Sequence, residues 1–183
     1  MHLLAITPGM GFAPEAWAAV LHSGIDGFMI REPSLEPGAL TAAAAWCRAE
    51  APGLALWVRG MALPGCGVHV PEGGAVAGRP LSRPLHVESQ WEARQGADQL
   101  LISPIFETPG KGPAWGPTRL RTFLDGRPPG GPRLLALGGV TPANVGLLRH
   151  PRLGGIAAIR PFWEGDPAAA VAAFHAAWGD APR

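Results

Sequence analysis

Short apolar runs bounded by Gly, Pro and polar turns recur along the whole chain, and Ala-rich stretches of helical length separate most of them. That alternation predicts a parallel sheet wound with helices. Eight runs read as strands: His2 to Thr7, Gly27 to Arg31, Ala55 to Arg59, Gly67 to Val70, Pro84 to Val87, Gln99 to Ile105, Arg133 to Gly138 and Gly155 to Arg160. Helices are expected at Pro14 to His22, Pro37 to Ala51, Ser89 to Gln95, Thr118 to Leu124, Pro142 to Arg149 and Pro167 to Trp178, with Thr141 and Asp166 as N-caps of the last two.

After the third and fourth strands only MALPGC and PEGGAVAGRP are available, and neither reads as a helix. Eight strands with six helices predict an α/β fold, a (β/α)8 TIM barrel trimmed by short or missing helices at those two connections. A full barrel typically takes about 250 residues, and the saving falls on those two helices. An open doubly wound sheet is the alternative; the barrel is preferred because no GxGxxG opens a helix after the first strand. One domain over residues 1 to 183 is expected.

Charge narrows the partners. Fifteen basic and 14 acidic side chains are scattered without a basic stripe, so a nucleic-acid partner is not expected. No apolar stretch is long enough to cross a bilayer and no secretory signal opens the chain, which predicts a cytoplasmic protein with no membrane partner. Nothing in the sequence sets the oligomeric state, and a homo-oligomer stays open. Cys47 and Cys66 lack CxxC spacing and read as small buried thiols. Lys111 is the only lysine among the 15 basic residues, so a compact ammonium is kept at one place in an Arg-rich chain.

In parallel barrels the working residues sit where strands end, and a phosphate site commonly forms from the loops after the last two. The seventh strand closes on Gly138-Gly139 and the eighth on Ile159-Arg160, a pair of flexible glycines and a guanidinium suited to an anion. The sixth runs into SPIFETPGKG, which delivers Thr108 and Lys111. The second ends in Arg31-Glu32. His69 and His86, on the fourth and fifth strands, can approach one end of the barrel and supply an acid and a base. His2, His22, His150 and His175 read as surface or capping residues.

These strand ends make the chain resemble the thiamine phosphate synthase and TenI families over nearly its whole length. The stretches that carry the likeness are LLAIT, MIRE, GVHV, LHVESQWEARQGADQLLISPIFETPGK, LALGGVTPANV and GGIAAIRPF. The resemblance implies a barrel holding a thiazole phosphate beside Gly138, Gly139, Ile159 and Arg160, with Arg31, Thr108 and Lys111 lining the same cavity. A synthase pattern would have Gln-x-Arg-x-Lys where Met29, Arg31 and Pro33 stand, Asn-Asp at Val58 and Arg59, and Asp at Gly74. The carboxylates that would hold Mg²⁺ are thus replaced. The TenI pattern puts a histidine where Pro104 stands.

The resemblance therefore implies a TenI-type thiazole tautomerase that needs no cofactor. His86 is the first candidate for proton transfer, followed by His69, Glu32 and Glu107. The alternatives are a divergent Mg²⁺-dependent thiamine phosphate synthase and a non-catalytic barrel binding a thiamin-related phosphate.

Overall fold

The computed structural model describes residues 1 to 179. Eight strands, β1 (His2–Ile6), β2 (Gly27–Ile30), β3 (Ala55–Arg59), β4 (Gly67–His69), β5 (Leu81–Leu85), β6 (Gln99–Ile102), β7 (Arg133–Leu137) and β8 (Gly155–Ala158), pair in sequence order. All eight pairings are parallel, and β8 returns to β1 to close the barrel. The helices are α1 (Pro14–Leu21), α2 (Pro37–Glu50), α3 (Trp91–Arg94), α4 (Gly116–Asp125), α5 (Arg160–Trp163) and α6 (Pro167–Trp178). No helix joins β3 to β4 or β4 to β5, as the two short connections predict.

Strand alternation divides the core into two layers. Leu4, Ile6, Met29, Trp57, Leu101, Leu135 and Ala157 fill the barrel interior. Their neighbours Leu3, Ala5, Phe28, Ile30, Leu100 and Ile102 face outward against the helices. Room for the large Trp57 ring comes from Gly67, where an added Cβ would lie 2.4 Å from a ring carbon. On α2 the buried residues Leu40, Ala43, Ala44 and Cys47 fall at helical spacing, which fixes the face turned to the strands. Both cysteines are buried and free, and burial is the largest influence pushing the Cys47 thiol up to about 12.

Four expectations need correction. The fifth strand begins at Leu81 instead of Pro84. Proline is tolerated inside it because β4 ends at His69: beyond the Val70 N to Ser82 O bond, the Pro84 carbonyl accepts from Arg94 Nη1 instead of a strand. The segment read as a helix from Pro142 contains only a short 3-10 turn, Val145–Leu148. Asn144 explains this, for its side chain accepts from Thr141 N and donates to Gly139 O, which locks a turn where helix would begin.

The eighth strand stops at Ala158, and Arg160 starts α5, where Pro161 is pre-set for a first helical turn. His175 is buried at 7% exposure, on the inner side of α6 with Val171 and Phe174. Asp166 caps α6 as expected, accepting from Ala168 N at 2.9 Å. Among the described residues no helix is long and apolar enough to cross a membrane.

Candidate active site

A cavity of about 620 Å³ opens at the C-terminal ends of the strands. Arg31, His69, His86, Thr108, Lys111, Gly138 and Ile159, all singled out by sequence, line it together. A second cavity of about 380 Å³ adjoins it, lined by Gly139, Arg160 and Glu164, and the two share Thr108, Leu137, Gly138 and Ile159. Lys111 and Gly138 therefore face one space, while Gly139 and Arg160 wall the smaller niche beside it.

Backbone shape builds the niche. Gly138 and Gly139 have φ of +97° and +68°, which side-chain-bearing residues rarely adopt. A Cβ at Gly138 would come within 2.9 Å of Pro104, and one at Gly139 within 2.7 Å of Phe106. The β6 loop thus lies directly on the glycine pair, tied to it by Ile105 N to Leu137 O and Phe106 N to Gly138 O. Thr108 hangs from the same loop, its hydroxyl donating to Phe106 O.

Across the mouth the walls are charged side chains. His86 stands one residue beyond β5 and is held at three points. Its amide donates to Gln90 Oε1, its carbonyl accepts from Trp115 Nε1, and its ring Nδ1 lies 2.8 Å from Ser103 O. A carbonyl only accepts, so Nδ1 carries a proton and Nε2 is the nitrogen left to exchange one with a ligand. Nε2 lies 3.8 Å from Glu72 Oε2, and the other Glu72 oxygen takes Arg94 Nη2 at 2.5 Å. The Arg94 hydrogen bond is the largest influence holding the Glu72 carboxyl below its ordinary range.

His69 is different. It is buried, with Nδ1 2.9 Å from Ser82 Oγ, and burial, helped by Arg59 and His86, pushes the ring down to about 4. It is a neutral imidazole at neutral pH. Glu32 is also buried but is absent from both linings. Its two oxygens accept from the Gly9 and Gly11 amides, at 3.1 and 2.7 Å, so it anchors the β1–α1 loop. Successive strand-end residues point opposite ways, which sends Arg31 into the cavity and Glu32 away from it.

Three charged lining residues were not among the candidates read from the sequence: Arg59, Glu72 and Arg119. Arg119 is held by two hydrogen bonds to Glu88, Nε to Oε1 and Nη2 to Oε2, and covers the Trp115 ring at 4.6 Å. That pairing is the first cause of the Glu88 carboxyl falling to about 2. The divalent cation that a synthase would use does not fit these residues. Glu72, committed to Arg94, is the one carboxylate in the large cavity's lining, and no three metal-ligating side chains cluster among the described residues.

No protein-family model matches the chain. No curated protein matches it either. Solved structures do. Thiamine phosphate pyrophosphorylase from Pyrococcus furiosus superposes with a TM-score of 0.82 at 16% identity, covering 96% of this chain and 94% of that one. The enzyme of the same name from Bacteroides thetaiotaomicron gives 0.66 at 16% identity, over 90% and 85% of the two chains. (S)-3-O-geranylgeranylglyceryl phosphate synthase from Thermoplasma acidophilum, in complex with sn-glycerol-1-phosphate, gives 0.70 at 14% identity, over 97% and 92%. At such identities the likeness establishes the fold: a closed (β/α)8 barrel of the kind these phosphate-handling enzymes share.

Proposed function

We propose that this protein is a cytoplasmic barrel of the thiamin pathway that binds a thiazole phosphate and isomerises its ring without a metal, as a TenI-type tautomerase does. The observation that carries the reading is the joint between the two cavities. A small niche walled by Gly138, Gly139 and Ile159, with Arg160 at its edge, opens through Thr108 into a chamber that His86 lines. A phosphate seated in the niche would place the remainder of its molecule in the chamber. Two neighbouring structures are named for thiamine phosphate and a third is a complex with sn-glycerol-1-phosphate, which is in keeping with a phosphorylated substrate.

In this reading His86 is the base. Its Nε2 lone pair takes a proton from the ring carbon of a non-aromatic thiazole, and the electron pair left behind moves into the ring as it becomes aromatic. The imidazolium formed faces the Glu72 carboxylate, and its proton is returned to the exocyclic carbon, so the step is a net isomerisation. His69, neutral at this pH, supplies a hydrogen bond and no charge. Arg31 and Lys111 hold the anionic parts of the substrate.

The test is to titrate the protein with thiazole phosphate by calorimetry and to follow conversion of the carboxylated tautomer by chromatography. Saturable binding with turnover is expected. Binding without turnover would instead favour the non-catalytic reading, and no binding would end both.

A further inference from the structure

We propose that Ser82 and Gln99 are positioning residues that hold His69 in one tautomer, with its proton on Nε2, so that the mouth cavity meets one imidazole that donates and another, His86, that accepts. The effect on turnover rests on the reading of this cavity as a tautomerase site; the tautomer itself does not.

Strand register sets the three side chains in one row. His69 pairs with Ser82 across β4 and β5, and Ser82 with Gln99 across β5 and β6. Residues paired across parallel strands point to the same face, and Gln99, two before the interior Leu101, points inward. Because barrel strands tilt, the row slopes: His69 is the last residue of β4, Ser82 the second of β5 and Gln99 the first of β6. It descends from the mouth into the barrel, and all three residues are buried.

The hydrogens of that row can be placed. His69 Nδ1 lies 2.9 Å from Ser82 Oγ, and Gln99 Nε2 lies 3.4 Å from the same oxygen. An amide nitrogen only donates, so Ser82 Oγ accepts from Gln99. These two are the only hydrogen-bond partners of Ser82 Oγ among the described residues, so its own hydrogen goes to His69 Nδ1. A ring nitrogen that accepts carries no proton, and a neutral imidazole then carries it on Nε2. Turning the Gln99 amide over would ask the hydroxyl to donate to a carbonyl oxygen at 3.4 Å, whereas O–H···O bonds span about 2.5 to 3.0 Å.

Gln99 Oε1 is buried with no hydrogen-bond partner. An unmet acceptor in the interior opposes folding, and a leucine at this position would avoid it. What the amide adds is a donor for Ser82. His86 is held the opposite way, its Nδ1 donating to Ser103 O. With Nδ1 of His69 committed to Ser82, Nε2 is the nitrogen left for the cavity that both histidines line. Burial keeps His69 uncharged near neutral pH, so it has one N–H to offer. In the tautomerase reading His86 moves the proton, while the His69 Nε2–H stays on its nitrogen and holds an acceptor atom of the same molecule.

The test is long-range proton–nitrogen NMR correlation on ligand-free protein labelled at its histidine nitrogens, at neutral pH, with the His69 signals assigned by their loss in His69→Asn. In the wild type, Nδ1 is expected to show the signature of a bare ring nitrogen and Nε2 that of a protonated one. Ser82→Ala and Gln99→Leu should each turn this pattern into a mixture of both tautomers, and Ser82→Ala should lower kcat about tenfold with KM little changed. Ser82→Thr, which keeps the hydroxyl, should retain the wild-type pattern. Melting curves check the fold, and the wild-type spectrum decides the tautomer even where a variant fails to fold.

A proton on Nδ1 in the wild type overturns the proposal. So does a His69 pattern that neither Ser82→Ala nor Gln99→Leu alters. The spectra need no substrate, so absence of thiazole turnover in the wild type would end the tautomerase reading and leave the tautomer assignment standing.

Discussion

The two sides of the barrel mouth recognise by different means. Along β7 and β8 the wall is shaped by backbone, with two left-handed glycines pressed against the β6 loop and Arg160 and Glu164 as the charged side chains beside them. Along β2 to β5 the wall is Arg31, Arg59, His69 and His86, side chains on long or hinged stems. A backbone wall suits one compact group that must fit closely, since peptide N–H groups do not vary between proteins. A side-chain wall is where charge and proton affinity are set, and hence where chemistry and choice of substrate are written. The difference predicts that mutations on the first side disturb shape and binding, and on the second charge and turnover.

The largest effect expected from that division is at His86. His86→Asn keeps a polar group of similar reach but removes the basic nitrogen, so turnover should fall by about 10²- to 10⁴-fold while thiazole phosphate affinity changes little. Steady-state rates beside a calorimetric titration read the two quantities separately. An unchanged rate would move the base elsewhere on the charged wall.

His69 tests the same wall through stability. Its ring sits near 4 in the folded protein against 6.5 when free, because burial opposes its protonation. As pH falls from about 6.5 toward 4, the unfolded chain takes up a proton that the folded chain refuses, so stability is complete above that window and declines through it. The loss amounts to about 3 kcal/mol. Urea melts near neutral pH and near pH 4 should show the wild type losing about that much more than His69→Asn, which cannot titrate. Equal losses would mean that the ring charges freely in the fold.

The charged wall was also the part least legible in the sequence. Their place at strand ends brought Arg31, His69 and His86 to one cavity, because the ends of parallel barrel strands share one rim. The same rule pointed to Arg59, at the end of β3, but that position was weighed only as a missing metal ligand. Glu72 and Arg119 carried no local signal. One sits in an irregular loop and the other on a helix, and what brings each to the mouth is an ion pair with a partner distant in sequence, Arg94 or Glu88.

The barrel itself was legible through all eight apolar runs. Its departures were local: Asn144 bonding its own turn and Pro161 starting a helix are side-chain effects that hydrophobic period does not register. Glu32, taken for a group at the mouth, faces the opposite way and secures the loop after β1.

The backbone wall yields the smaller but sharper experiment, Gly139→Ala. Alanine adds one methyl and no charge, yet φ of +68° costs an L residue roughly 1 to 2 kcal/mol, and the new Cβ would meet Phe106 at 2.7 Å. The contact is to the Phe106 Cβ, which moves only with its backbone, so the loop carrying Phe106 and Thr108 must shift by some tenths of an ångström. That displacement should narrow the niche without touching Arg31, Arg59 or His86. The expected outcome is a modest drop in thermal stability, a clear loss of affinity for thiazole phosphate, and an unaltered rate at saturating substrate, the reverse of the His86→Asn pattern. If Gly139→Ala instead lowered the saturated rate and left affinity alone, the niche would not be where the phosphate sits, and the division of labour between the two walls would have to be redrawn.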